Sequence, residues 1–147
     1  MALHPYPIAH LRLAVAIVSD IRHQHPGVLL LRFTVAGLML FHGVAKLTHG
    51  LGPIKGLLAE AGLPAWIAFG VLIGEIVAPL FVIAGVWVRW AALIIAFNMV
   101  VAVALAHRAD LFALGSSGAY GLEAQAFFLF GSLSIAWLAG GRRGGRS

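Results

Sequence analysis

The length of the apolar runs limits this chain more than any other feature. Residues 27–48, 64–86, 88–107 and 121–140 form four almost wholly apolar stretches. A helix rises about 1.5 Å per residue, so about 20 residues cross a hydrocarbon layer of roughly 30 Å. Outer-membrane strands alternate apolar and polar positions over about 10 residues, and these blocks do not. Nor is there enough polar surface for water: 61% of the 147 residues are hydrophobic and 10% charged, against about 25% charged in soluble domains. The expected fold is all-α, an integral membrane four-helix bundle over residues 27–140, with a short interfacial N-terminal helix within 1–26 and a basic tail at 141–147.

Punctuation between the blocks fits that reading. The apolar stretch Leu11–Val18, bordered by Arg12 and Arg22, is too short to span. It suits a helix lying on the cytoplasmic leaflet better than a signal peptide, because its charge is not confined to a leading basic region and no A-x-A-like site follows. Pro26 breaks the chain before the first span. The segment Gly50–Leu63 carries Pro53, Lys55 and Glu60, and its core IKGLLAEAGL has the spacing of a short interfacial amphipathic helix. Pro64 and Trp66 open the second span, where Pro suits a first turn and Trp the headgroup level. Pro79 predicts a kink in its later half, and Gly70 and Gly74 make a GxxxG that permits close helix contact. Arg89 and Trp90 mark a short turn into the third span, and LGSSGAYG reads as a loop before the fourth.

Net charge is +5 and the pI about 10.8. An even number of spans puts both ends on one side, with Arg12, Arg22, Arg89, Arg142, Arg143 and Arg146; Lys46, Lys55, Arg108, Glu60 and Asp110 fall opposite. The positive-inside rule then places both termini in the cytoplasm of a bacterial inner membrane. No groove-sized basic patch is interleaved with aromatics, so lipid rather than nucleic acid is the expected partner of this charge. The chain has no cysteine, which excludes its own disulfides, thiolate chemistry, iron–sulfur clusters and Cys-based zinc sites.

An ionised side chain at mid-bilayer costs roughly 3 kcal/mol or more, so it should face the bundle and find a partner. By rise along each helix, Arg32 lies near the inner face, His42 in the outer half and Lys46 near the outer end of the first span. His42 and Lys46, spaced i,i+4, share one face. Glu75 and Asn98 fall near the middles of the second and third spans. His107 ends the third, and Glu123 and Gln125 open the fourth. The expectation is an outer cluster of His42, Lys46, His107, Glu123 and Gln125, with Glu75 and Asn98 beneath it. Glu75 is the candidate proton carrier; Arg32, His42, Lys46, Asn98, His107, Glu123 and Gln125 are the candidate ligand-binding residues. Plainer roles compete: helix glue for Asn98, snorkelling for Arg32 and Lys46, and the helix dipole for Glu123. A b-type haem between His42 and His107 is disfavoured because their depths differ by about half a dozen residues' rise. No HExxH-like motif offers a metal site.

The run LLLRFTVAGLMLFHGVAKL, then Gly-Leu-Pro, then GEIVAPLFVIAGVWVRWAAL, resembles the DoxX family of small bacterial membrane proteins. Arg32, Gly37, Gly43 and Lys46 carry the likeness on the first helix, and Gly62–Pro64 in the connection. Gly74–Glu75, Gly85, Arg89 and His107 follow, so that it covers roughly residues 28–138. The resemblance implies a four-helix membrane protein. Some members are similar to a subunit of thiosulfate:quinone oxidoreductase or of a terminal quinol oxidase, and others are linked to oxidative-stress complexes. It brings no agreed catalytic residues.

The leading expectation is therefore a membrane subunit of a respiratory or stress-related redox complex that engages a quinone or docks a partner oxidoreductase. Quinone carbonyls need donors such as His42 or Lys46, and their reduction needs protons, for which Glu75 is placed. Two other readings stand beside it: an assembly subunit without chemistry of its own, and a small transporter. Four helices enclose too narrow a pore for a monomeric transporter, which would need a homo-oligomer.

Overall fold

The structure, a computed structural model, describes residues 25–114 and 118–140. The expected interfacial N-terminal helix and the basic tail lie outside the described residues. Helix α1 runs Pro26–His49. Pro26 occupies its first turn, where no N–H is needed, and the His25 ring accepts a hydrogen bond from the Gly27 amide at 3.2 Å. Short helix α2, Gly52–Glu60, turns Leu58 inward and leaves Lys55 and Glu60 exposed. Helix α3 covers Ala65–Ala84. It begins with a 3-10 turn at Ala65–Ala68, continues as α-helix over Phe69–Leu72, widens to a π-helix at Ile73–Val77 and returns to α-helix at Ala78–Ala84. Helix α4, Val88–Ala106, is followed by a 3-10 turn at Arg108–Phe112, an isolated bridge between Leu114 and Tyr120, and helix α5, Glu123–Gly140.

Helices α1, α3 and α4 are each long and apolar enough to cross a membrane. Helix α5 packs along α4 and α1 and completes the four-helix bundle. Its packing is inverted relative to a bundle in water. Small and mid-sized residues fill the core: Ala36 and Met39 from α1, Val82 from α3, Ala92 and Ile95 from α4, and Ile135 from α5. Large side chains point out, with Phe41 75%, Phe97 68% and Phe130 65% exposed, while Arg32, Glu75, Asn98 and Ser132 are buried. Lipid tails are as apolar as these outer residues, so helix association rests on close packing of small residues and on polar contacts inside. Trp66 at one end of the bundle and Trp87, Trp90 and Trp137 toward the other remain exposed, where indole rings suit the headgroup level.

Two details depart from the sequence reading. The turn between α3 and α4 is Gly85–Trp87, and Arg89 and Trp90 already belong to the first turn of α4. Gly85 at φ +77° closes α3, with the Val86 amide donating to the Phe81 carbonyl at 3.1 Å; glycine enters this left-handed cap without a Cβ penalty. Trp87 takes a positive φ of 48° and stacks on Phe81, ring centroids 6.1 Å apart. The second departure is the π-helical segment in place of a simple proline kink. Pro79 has no N–H for the Glu75 carbonyl four residues back, and just before it the Ala78 amide bonds the Ile73 carbonyl, five residues back. The widened turn leaves the consecutive residues Gly74 and Glu75 both buried.

Candidate functional site

Glu75 sits in this widened turn and is 2% exposed. Lys46 of α1 forms an ion pair with its Oε1, and the Asn98 amide of α4 donates to the same oxygen at 3.4 Å. The other oxygen, Oε2, is buried with no hydrogen-bond partner among the described residues. Three helices therefore converge on one carboxylate, with one oxygen committed and the other open to a donor. Attraction between Lys46 and Glu75, stronger in low dielectric than in water, offsets the cost of holding charge at this depth. The Lys46 side chain keeps 31% of its surface exposed, so the buried acid reaches the bundle's exterior through the lysine.

Two glycines permit this convergence. A Cβ on Gly43 would stand 2.6 Å from the Glu75 carbonyl oxygen, and one on Gly74 would stand 2.6 Å from Asn98 Cβ. Any larger residue would push α1 off α3, or α3 off α4, at the level of the ion pair. Gly70, the other half of the GxxxG, faces open space and takes no part.

The remaining sequence candidates lie elsewhere. Arg32 is buried toward the opposite end of α1, where its Nη2 donates to the Val82 carbonyl at 2.6 Å beside the Gly85 cap. It thereby satisfies a carbonyl in the last turn of α3. His42 is exposed and meets Phe128 of α5 edge-on, centroids 5.4 Å apart, rather than joining Lys46 at the carboxylate. An i,i+4 spacing leaves two side chains some 40° apart around a helix of 3.6 residues per turn, enough here for Lys46 to turn to α3 and His42 to α5. His107 Nδ1 pairs with Asp110 Oδ2 at 2.9 Å. Glu123 Oε1 accepts from the Tyr120 amide at 3.1 Å, tying the loop to the start of α5. Gln125 lines a cavity of about 270 Å³ between α4 and α5, with Met99, Val103, Tyr120 and Leu129 among its other walls. The structure thus brings together Lys46, Glu75 and Asn98, and separates them from Arg32, His42, His107, Glu123 and Gln125. Gly43 was legible only as a family marker, whereas Gly74 was also read as half of a GxxxG that permits close helix contact, and that contact is with Asn98. Tyr120 gave no signal; an aromatic in a Gly-rich loop does not announce a cavity wall.

Among the described residues no group of three or more His, Cys, Asp or Glu side chains is placed to hold a metal ion. The convergent site can donate from Lys46 and accept a hydrogen bond at Oε2. The DoxX family model matches residues 27–108, a span that contains Lys46, Glu75 and Asn98 and stops before α5. No curated protein and no solved structure matches the chain.

Proposed function

This chain belongs to the DoxX family, and from that premise we propose that it is a membrane subunit of a respiratory or stress-related redox complex that engages a quinone at Lys46, Glu75 and Asn98. One observation carries the reading: the buried Glu75 carboxylate has its Oε1 occupied, while its Oε2 has no partner among the described residues. An acceptor of that kind fits a quinol hydroxyl, and the partly exposed Lys46 is a donor for a quinone carbonyl. Reducing a quinone takes two electrons and two protons. Here the electrons come from a partner oxidoreductase of the complex, and Glu75 passes protons. His42, exposed one turn from Lys46, is a further donor on the approach from lipid. The membrane is the bacterial inner membrane, with both termini in the cytoplasm.

Titration of the purified protein in nanodiscs with a short-chain quinone tests this. Saturable binding is expected in the wild type, with about tenfold loss in Glu75→Gln and a smaller loss in His42→Ala. Wild-type protein that takes up no more quinone than empty nanodiscs would end the proposal.

The tight glycine contacts on both sides of Glu75 favour a second reading, an assembly subunit in which the ion pair fixes helix register. On that reading Glu75→Gln lowers recovery of the complex and leaves turnover per assembled complex unchanged, which the quinone reading does not.

A further inference from the structure

We propose that the cavity between α4 and α5 is a binding site for a ring-sized apolar molecule bearing one hydrogen-bonding oxygen, of the phenol or aryl ketone class, admitted from the bilayer. It goes beyond the reading above, since neither Lys46, Glu75 nor Asn98 lines this cavity. Its volume of about 270 Å³ falls just below the roughly 300–1,000 Å³ of pockets for drug-sized ligands. That is room for one or two fused rings. The walls are apolar except at two side chains. One, the Tyr120 hydroxyl, is already committed, donating to the Leu111 carbonyl at 2.6 Å. The other is the half-buried amide of Gln125, which makes no hydrogen bond among the described residues.

That amide selects the ligand. A bare hydrocarbon chain would fill the space and leave the amide unmatched, whereas a ring carrying a hydroxyl or a carbonyl satisfies it while burying the rest of its surface. Val100 and Phe130 border the cavity and remain exposed on the lipid-facing surface. Entry is therefore lateral, from the phase in which such molecules concentrate.

The full-length protein in nanodiscs, titrated with 2-naphthol through the probe's own fluorescence, tests the proposal, with naphthalene as a competitor of like shape that lacks the oxygen. Expected results are saturable 2-naphthol binding above that of protein-free nanodiscs and naphthalene binding about tenfold weaker. Gln125→Leu should weaken 2-naphthol to parity with naphthalene, and Ala126→Trp should fill the cavity and abolish both. Glu75→Gln should leave 2-naphthol binding unchanged, which keeps this site distinct from the quinone reading. No saturable component would overturn the proposal. So would wild-type protein binding naphthalene as tightly as 2-naphthol, the behaviour of an acyl-chain slot, or a folded Ala126→Trp that still binds. If Ala126→Trp fails to fold, Val103→Phe fills the cavity from the α4 wall and is read in the same way.

Discussion

Around Glu75, helices α1, α3 and α4 touch through glycines and share an ion pair, while beside the contact of α4 and α5 an apolar cavity lies near Gln125. Asn98 and Met99, neighbours in α4, stand on the two sides of this divide: Asn98 donates to Glu75 and Met99 lines the cavity. The first region joins helices by electrostatics and close approach, and a Cβ added at Gly43 or Gly74 meets the Glu75 backbone or the Asn98 side chain. The second joins them by side-chain contact around spare volume, and change there is absorbed. In a membrane, where burial of apolar surface gives little drive for helices to associate, most of the specificity should come from the first region and most of the tolerance from the second.

The largest expected effect is at the lysine. Lys46→Met strands the Glu75 carboxylate beside an apolar side chain. It should cost about 3 kcal/mol, the lower part of the range for breaking a buried pair, because Lys46 is partly exposed. Equilibrium unfolding in mixed micelles measures it. Adding Glu75→Leu to Lys46→Met should recover most of the loss, since both charges are then gone. A single variant as stable as the wild type would mean that the pair holds nothing together. Gly43→Val comes next: its Cβ meets the Glu75 carbonyl, so overpacking of about 1–3 kcal/mol is expected. Smaller again is Asn98→Leu. Its 3.4 Å bond to Glu75 is long, and membrane hydrogen bonds of this kind average about 0.6 kcal/mol. An Asn98→Leu effect larger than that of Gly43→Val would reverse the order of importance argued for these contacts.

Apolar block length was enough to read the spanning helices, because crossing hydrocarbon leaves a chain few options. The inward turn of Glu75 was legible for the same reason. Its partners were only half legible. Depth along each helix was readable by counting residues, but rotation was not, and rotation sends Lys46 to Glu75 while His42 goes to Phe128. The π-helical turn adds to this, since one extra residue re-aims everything beyond it, and nothing in IGEIVAP except the proline hints at it. His107 and Glu123 found local partners three residues away, Asp110 and Tyr120, as polar groups at helix ends commonly do. The cavity is a local gap where α4 and α5 meet Leu111 and Tyr120 of the segment between them, and no single residue encodes it.

The smallest effect carries the sharpest contrast. Ala126→Leu adds apolar volume to α5 where it faces the cavity, much as Gly43→Val adds volume to α1 where it faces α3. The chemistry of the two changes is alike, yet opposite signs are expected. In the cavity the new side chain gains contacts with Met99, Val103 and their neighbours, and filling of this kind typically stabilises by about 0.5 kcal/mol or more. Against α3 the new Cβ has nowhere to go. Measured side by side in the same micelles, the pair isolates local free volume from side-chain type. If Ala126→Leu destabilises the bundle as much as Gly43→Val does, then α4 and α5 are as tightly keyed to each other as α1 and α3, and the tolerance assigned to the cavity region is absent.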